Sequence, residues 1–259
     1  MRTTAERSSE QDATIHPIFC QHLAVYEYAQ QFVSGKNVLD VGCGEGYGSS
    51  LLAERASRVL GMDYSQEAIE RARQNHASAN NEFICSDIAD FYAKEMRFDV
   101  VCAFQFIEHL KNPKPFLAKV ESLLGKGGAL LLSTPNRRAS IVQHPYHFRE
   151  YTREELEEEL SQYFAKTDIY GLQFSQKVYQ FRQKRKGSSE RLLRLDPLGL
   201  HRLLPRSVRQ KVFDCIAAVL SRKIYKQDQG LLDEITPKDY WVSEKEINAA
   251  IDLVAVCRK

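Results

Sequence analysis

The chain has 259 residues, 43% of them hydrophobic, with a formal net charge of +2. That length and apolar content fill the core of one large α/β domain, and the six cysteines, none in a C-x-x-C pair, predict reduced buried thiols rather than a disulfide framework or a zinc site. No run approaches the roughly eighteen apolar residues of a membrane span, and the opening MRTTAERSSEQD lacks an export signal's apolar stretch, so a cytoplasmic protein is expected.

In chain order, a polar segment at 1–18 is predicted to be flexible. The first apolar run follows in NVLDVG (37–42), and further runs recur at RVLGMD (58–63), EFICSD (82–87), FDVVCAF (98–104) and GALLLSTP (128–135). Helical stretches stand between them: Ser65 caps QEAIERARQ, Pro113 opens a run with apolar Phe116, Leu117, Val120, Leu123 and Leu124, and Thr152-x-x-Glu155 forms a capping box. Strands at TDIYGLQF (167–174) and IDLVAVCR (251–258) bring the count to seven. Such alternation predicts a doubly wound, mostly parallel sheet with helices on both faces. The expected organisation is a core over 19–176, a basic helical insertion over 177–245 and a final strand over 246–259. Residues 177–226 hold fourteen Lys and Arg against three acidic residues, with bulky apolar positions at helical spacing. Three roles fit that pattern: a helical cap packed on the core, a lid over an anionic substrate, or helices lying on a membrane surface. Nucleic-acid binding rests on charge alone.

The glycine-rich stretch DVGCGEGYG (40–48) carries the chemistry. Its glycines are Gly42, Gly44, Gly46 and Gly48, so G-x-G-x-x-G is not met from Gly42 or from Gly44, and no lysine follows as a phosphate-binding Walker loop requires. Asp40 instead precedes the first glycine by two positions, and Asp63 ends the next strand. Glycines let a ligand approach the backbone, Asp40 can face a cationic group, and Asp63 can accept both hydroxyls of a ribose. A ligand with an amino acid end and a nucleoside end but no pyrophosphate meets these demands, and S-adenosylmethionine is such a ligand.

On Asp40 to Gly46, GMDYS, CSDIAD, FDVVCAFQFIEHLKNPKPFL and LLGKGGALLLSTPN, the chain resembles the class I S-adenosylmethionine-dependent methyltransferases, whose fold is Rossmann-like. The resemblance implies that Asp40, Gly42, Cys43, Gly44 and Gly46 form the cofactor loop. By the same likeness Asp63 takes the ribose, Tyr64 flanks the adenine, Asp87 with Ile88 holds the adenine amino group, and Gln105 stands at the exit of the fourth strand beside the cofactor. HLAVYEYAQQFVSGKNVLDVGCGEGYGSSLLA, STPN and HPYHFREYTREEL resemble bacterial methyltransferases of polysaccharide and sugar biosynthesis, and STPNR is similar to ubiquinone-biosynthesis O-methyltransferases. In the former group His22 and Tyr26 would help close the cofactor pocket.

Methyl transfer to a hydroxyl gains from a general base near the carboxyl edge of the sheet. His147 is the first candidate and His109 the second, with His144, Glu150 and Tyr151 behind them. No His, Cys, Asp and Glu cluster shows metal-ligand spacing along the chain, so no metal is expected. The fourth strand exits in AFQF rather than an Asn-Pro-Pro-Tyr-like element, which disfavours amide and base N-methylation. The expected acceptor is therefore a sugar, a glycan end or a similar hydroxylated small molecule. RNA methylation through the basic insertion and S-adenosylmethionine binding without transfer are the alternatives.

Overall fold

The computed structural model describes residues 16–91, 97–140, 146–193, 230 and 232–259. The elements run α1 (His16–Ala29), β1 (Asn37–Val41), α2 (Tyr47–Ala53), β2 (Arg58–Asp63), α3 (Gln66–His76), β3 (Asn81–Cys85) and β4 (Phe98–Phe104). They continue with α4 (Lys114–Leu123), β5 (Leu124–Pro135), α5 (Arg153–Ser161), β6 (Lys166–Phe174), α6 (Gln176–Leu193), β7 (Tyr240–Ser243) and β8 (Asp252–Arg258).

All fourteen share one architecture, a single sheet in the order β3-β2-β1-β4-β5-β8-β6-β7 with helices over it. Strands β1 to β5 pair in parallel, while β8 runs antiparallel between β5 and β6. The order reverses between β1 and β4, so their carboxyl ends open a crevice where doubly wound sheets bind ligands. The burial strings explain the parallel half: β1 is buried over Val38 to Val41 and β4 over Val100 to Phe104, as strands covered on both faces must be.

One face of the sheet buries Leu39, Val101, Leu130, Leu132 and Leu253 with Leu117 of α4 and Leu156 of α5. The other buries Val38, Val100, Leu131 and Val254 with Val25 of α1, Leu52 of α2 and Val178 and Phe181 of α6. The helix caps follow the expected chemistry. Ser65 accepts from the Ala68 amide at the start of α3, and Thr152 and Glu155 close a reciprocal box on α5.

The sheet has an eighth strand that the alternation does not reveal. β7 lies within 177–245, read as wholly helical, and pairs antiparallel with β6, Tyr240 standing opposite Phe174. Four residues without an alternating run give no period-2 signal, and the strand is held instead by pairing and by Tyr240, whose buried hydroxyl donates to the Pro17 carbonyl at 2.8 Å. α1 begins at His16, inside the stretch expected to be flexible. Residues 194–229 of the basic insertion, and Cys215 with them, lie outside the described residues. The stretch before them packs on the core: Arg182 of α6 donates to the Ala139 carbonyl at 2.8 Å and lies over the Phe174 ring. Cys20, Cys43, Cys102 and Cys257 are buried, whereas Cys85 is exposed at the end of β3. Among the described residues no helix is long and apolar enough to cross a membrane.

Candidate active site

A cavity of about 860 Å³ opens at the carboxyl ends of β1, β2 and β4. Its wall includes Gly42, Cys43 and Gly44 from the loop after β1, Asp63 and Tyr64 from the end of β2, and Asp87 and Ile88 after β3. His22 and Tyr26 of α1 and Gln105 after β4 also line that wall. His109 and Leu110 follow β4, and Tyr146 and Phe148 come from the loop before α5.

The glycine loop is built by backbone bonds. Gly42 and Cys43 both donate to the Met62 carbonyl, which ties the turn to the end of β2. Gly42 and Gly44 have φ of +76° and +56°, the left-handed region that only glycine enters at little cost. A Cβ on Gly42 would meet Phe106 at 2.9 Å, while one on Gly44 would have nothing within 4 Å and would stand in the open cavity. Asp63 holds this loop from the neighbouring strand: one carboxylate oxygen accepts from the Gly44 amide at 3.1 Å and the other from the Ser65 amide at 2.8 Å. A carboxylate has about four acceptor sites, so room remains for two hydroxyls of a ligand.

Asp40 and Gly46, expected in direct contact with the cofactor, lie behind the residues that form the cavity wall. Asp40 is fully buried beneath the loop, where the Ser49 hydroxyl donates to it at 2.6 Å and the Tyr26 hydroxyl lies 3.2 Å from both its oxygens. In this position it ties α1 and α2 to the loop. Gly46 precedes α2, and a Cβ there would stand 2.8 Å from Ala72 and Phe83. Gly48 permits a still closer approach: its Cβ would lie 2.1 Å from the Tyr26 ring, so only glycine lets Tyr26 reach Asp40 over α2.

Burial pushes the Asp40 carboxyl up from 3.8 to about 6, against the opposing hydrogen bonds from Ser49 and Tyr26. Because the folded value lies above the unfolded one, this group's stabilising contribution is full below the unfolded value and is lost as pH rises through about 6. Ser49→Ala is therefore expected to cost about 1.5–3 kcal/mol near pH 8, where the lost bond is to a carboxylate, and less near pH 5. Urea unfolding at both pH values checks this, and an equal cost at both would contradict the assignment.

His22 sits part-buried with Nδ1 3.3 Å from the Tyr47 hydroxyl, and desolvation pushes its imidazole down to about 4. It faces the cavity uncharged at neutral pH. Tyr64 stands at the rim, 75% exposed. Asp87 lines the cavity while its Oδ1 accepts from the Ala89 amide at 2.9 Å, so it also forms the turn that its residue type suggests. Gln105 adopts φ of +50°, an uncommon conformation for a residue with a Cβ, and its amide donates to the Ser133 carbonyl at 2.9 Å.

The structure brings the two candidate histidines together. His109, in the short helical turn Ile107–His109, lines the cavity. His147 stands behind it, 11% exposed by side chain, with ring centroids 5.1 Å apart at 76°. His147 Nδ1 is 2.9 Å from a carboxylate oxygen of Glu150, itself buried, so Glu150 orients His147 and His147 abuts His109. Tyr151 is a core residue: it is fully buried, burial pushes its hydroxyl up to about 12, and the Arg149 guanidinium lies 4.6 Å over its ring. His144 lies outside the described residues. Tyr47, Phe104, Phe106 and Ser133 are among the wall residues that were not anticipated. Glu108 was also missed, although a glutamate in the mostly apolar AFQFIEHL is a signal. It is fully buried and accepts from the Thr134 hydroxyl at 2.9 Å.

Fold and site together define a doubly wound α/β protein with a ligand cavity at its switch point. Residues 32–187 match the methyltransferase domain family, and the chain belongs to that family. A protein of Mycolicibacterium smegmatis named as an S-adenosylmethionine-dependent methyltransferase is 34% identical over 160 residues, 60% of this chain and 62% of that one. A ubiquinone biosynthesis O-methyltransferase of Coxiella burnetii is 36% identical over 116 residues, 43% of this chain and 49% of its own length. The chain thus spans between 49% and 62% of the length of these curated relatives. Among solved structures, an S-adenosylmethionine-dependent methyltransferase from Thermotoga maritima superposes with a TM-score of 0.59 at 14% identity, covering 95% of this chain and 91% of that one. The cyclase SpnF superposes with a TM-score of 0.58 at 18% identity, covering 92% and 81%. At these identities the likeness is one of fold.

Proposed function

We propose that the chain is an S-adenosylmethionine-dependent methyltransferase acting on a hydroxyl of a sugar, a glycan end or a similar small metabolite. One observation carries this reading: a single cavity joins the glycine loop, Asp63 and Asp87 on the β1–β3 side to His109, Tyr146 and Phe148 on the β4–β5 side. The first group fits the cofactor by the chemistry of its donors and acceptors. Gly44 leaves space where a side chain would stand, Asp63 keeps acceptor capacity for two ribose hydroxyls, and Ile88 and Tyr64 offer apolar surface for a base. His22, neutral near pH 7, can donate or accept a hydrogen bond there without repelling a sulfonium.

When bound, S-adenosylmethionine supplies an electrophilic methyl group for in-line displacement. The chain's own task is then alignment and proton removal. His109, on the cavity wall after β4, would take the proton of the acceptor hydroxyl as that oxygen becomes methylated. His147, fixed by Glu150, positions the His109 ring. A hydroxyl acceptor agrees with the relative named as an O-methyltransferase. The basic stretch 177–226 is read as the part that meets an anionic acceptor or a membrane surface.

Calorimetric titration of the native chain with S-adenosylmethionine and S-adenosylhomocysteine tests the proposal. Saturable binding at micromolar concentration is expected, followed by transfer of labelled methyl to hydroxylated sugars or lipid-linked glycans. A folded chain that binds neither compound would overturn the reading.

A further inference from the structure

We infer that Glu108, His109 and His147 form a binding site for one divalent transition-metal ion, at the acceptor end of the cavity. No ligand spacing announces it in the sequence, because His147 lies far along the chain from the Glu108-His109 pair. In the fold, one ligand atom from each of the three falls within 4.8 Å of the others. Atoms sharing a small divalent ion stand roughly 3–4 Å apart, so side-chain rotations of about 1 Å complete the set.

Two further observations point to an ion. The rings of His109 and His147 stand 5.1 Å apart at 76°. Two imidazoles bound through nitrogen to one tetrahedral ion at about 2.0–2.1 Å place their ring centres roughly 5 Å apart, a spacing this edge-to-face pair matches. The second observation is Glu150, whose carboxylate lies 2.9 Å from His147 Nδ1. A metal-bound histidine commonly gives its other ring N–H to a carboxylate, which fixes the tautomer and raises its basicity as a ligand. With Nδ1 facing Glu150, Nε2 of His147 would be the atom that ligates the ion. Glu108 is held in turn by the Thr134 hydroxyl at 2.9 Å, so two of the three ligands carry an outer partner.

Two imidazoles and one carboxylate suit Zn²⁺, Co²⁺ or Mn²⁺ better than Mg²⁺ or Ca²⁺, which prefer oxygen ligands. Three protein ligands leave at least one position for an exogenous oxygen, the pattern of catalytic rather than structural sites. His109 lines the cavity, so a molecule bound there lies beside the proposed ion. On the methyl-transfer reading, on which this role alone rests, the ion would take the acceptor oxygen as ligand and stabilise the alkoxide while the proton leaves to water. Loaded and unloaded forms would thus activate the hydroxyl differently, by Lewis acid or by His109.

The binding itself is tested without turnover. Chelator-treated chain is titrated with Co²⁺ and the visible d–d absorption followed, then the ion is displaced with Zn²⁺. One equivalent per chain with a saturable band is expected, with affinity lowered at least about 100-fold in His147→Ala and about 10–100-fold in Glu150→Gln. Circular dichroism and S-adenosylhomocysteine titration verify that both variants are folded. Absence of a saturable band in the native chain overturns the proposal, and so does a His147→Ala variant that binds Co²⁺ as tightly as the native chain. Loss of S-adenosylhomocysteine binding with an intact Co²⁺ signal would count against the methyltransferase reading and leave the metal site standing.

Discussion

Replacing His109 by alanine is expected to lower kcat by about 10²–10⁴-fold, the range removed with a positioned general base, while S-adenosylhomocysteine affinity stays within about twofold. The asymmetry follows from where the ring stands. It is on the wall that follows β4, away from the β2 and β3 ends that carry Asp63 and Asp87. A ligand-binding residue would raise KM or the dissociation constant instead. His147→Ala should lower kcat less, since His147 touches His109 and not the cavity wall, and Glu150→Gln less again. Steady-state kinetics with and without chelator, beside the calorimetry, separates base from ion. An unchanged kcat in His109→Ala under both conditions would remove the acceptor-side assignment.

How much of this was legible differs by element. Much of the parallel half of the sheet could be read because β1 and β2 are buried apolar runs ended by Gly42 and Asp63, and α3 and α5 carry their own caps at Ser65 and Thr152. β7 could not, because four residues held by pairing leave no periodic trace. Within the site, Asp63 was legible because a carboxylate at a strand's carboxyl edge beside a glycine turn has one obvious direction to face. Asp40, also near a strand end, gave the same signal and faces inward. What decides between them is the pair of donors, Tyr26 on α1 and Ser49 on α2, which meet Asp40 only after both helices pack on the sheet. Which of the two histidines lines the cavity was hidden for the same reason. Both follow strands that end at the crevice, and which one reaches the cavity depends on how the loop before α5 folds back, with the Phe148 amide donating to the Glu108 carbonyl at 2.8 Å. Strand position is thus local information, whereas side-chain direction at the ends is a tertiary result.

Asp63→Ala is expected to weaken S-adenosylhomocysteine binding by at least about 100-fold. Two hydrogen bonds from ligand hydroxyls to a carboxylate contribute about 1.5–3 kcal/mol each, and 1.4 kcal/mol is a tenfold change in affinity. The substitution acts twice, because the same carboxylate accepts from the Gly44 and Ser65 amides. Leaving those amides without their acceptor loosens the loop against β2 and should lower stability by about 1–3 kcal/mol. Asp63→Asn separates the two effects. Its amide has one acceptor oxygen and no charge, so it can satisfy one backbone amide and keep the fold closer to native while the ligand loses the carboxylate. Binding weakened by more than tenfold in Asp63→Asn, with a native urea midpoint, places the loss in the ligand contact itself. Affinity within about twofold of native in both variants would mean that the carboxylate serves the loop alone, and the nucleoside end of the cofactor would have to be sought at Asp87. Asp87 would suit that role, because its Oδ1 accepts from the Ala89 amide at 2.9 Å while Oδ2 keeps acceptor sites for a ribose hydroxyl or an adenine amino group.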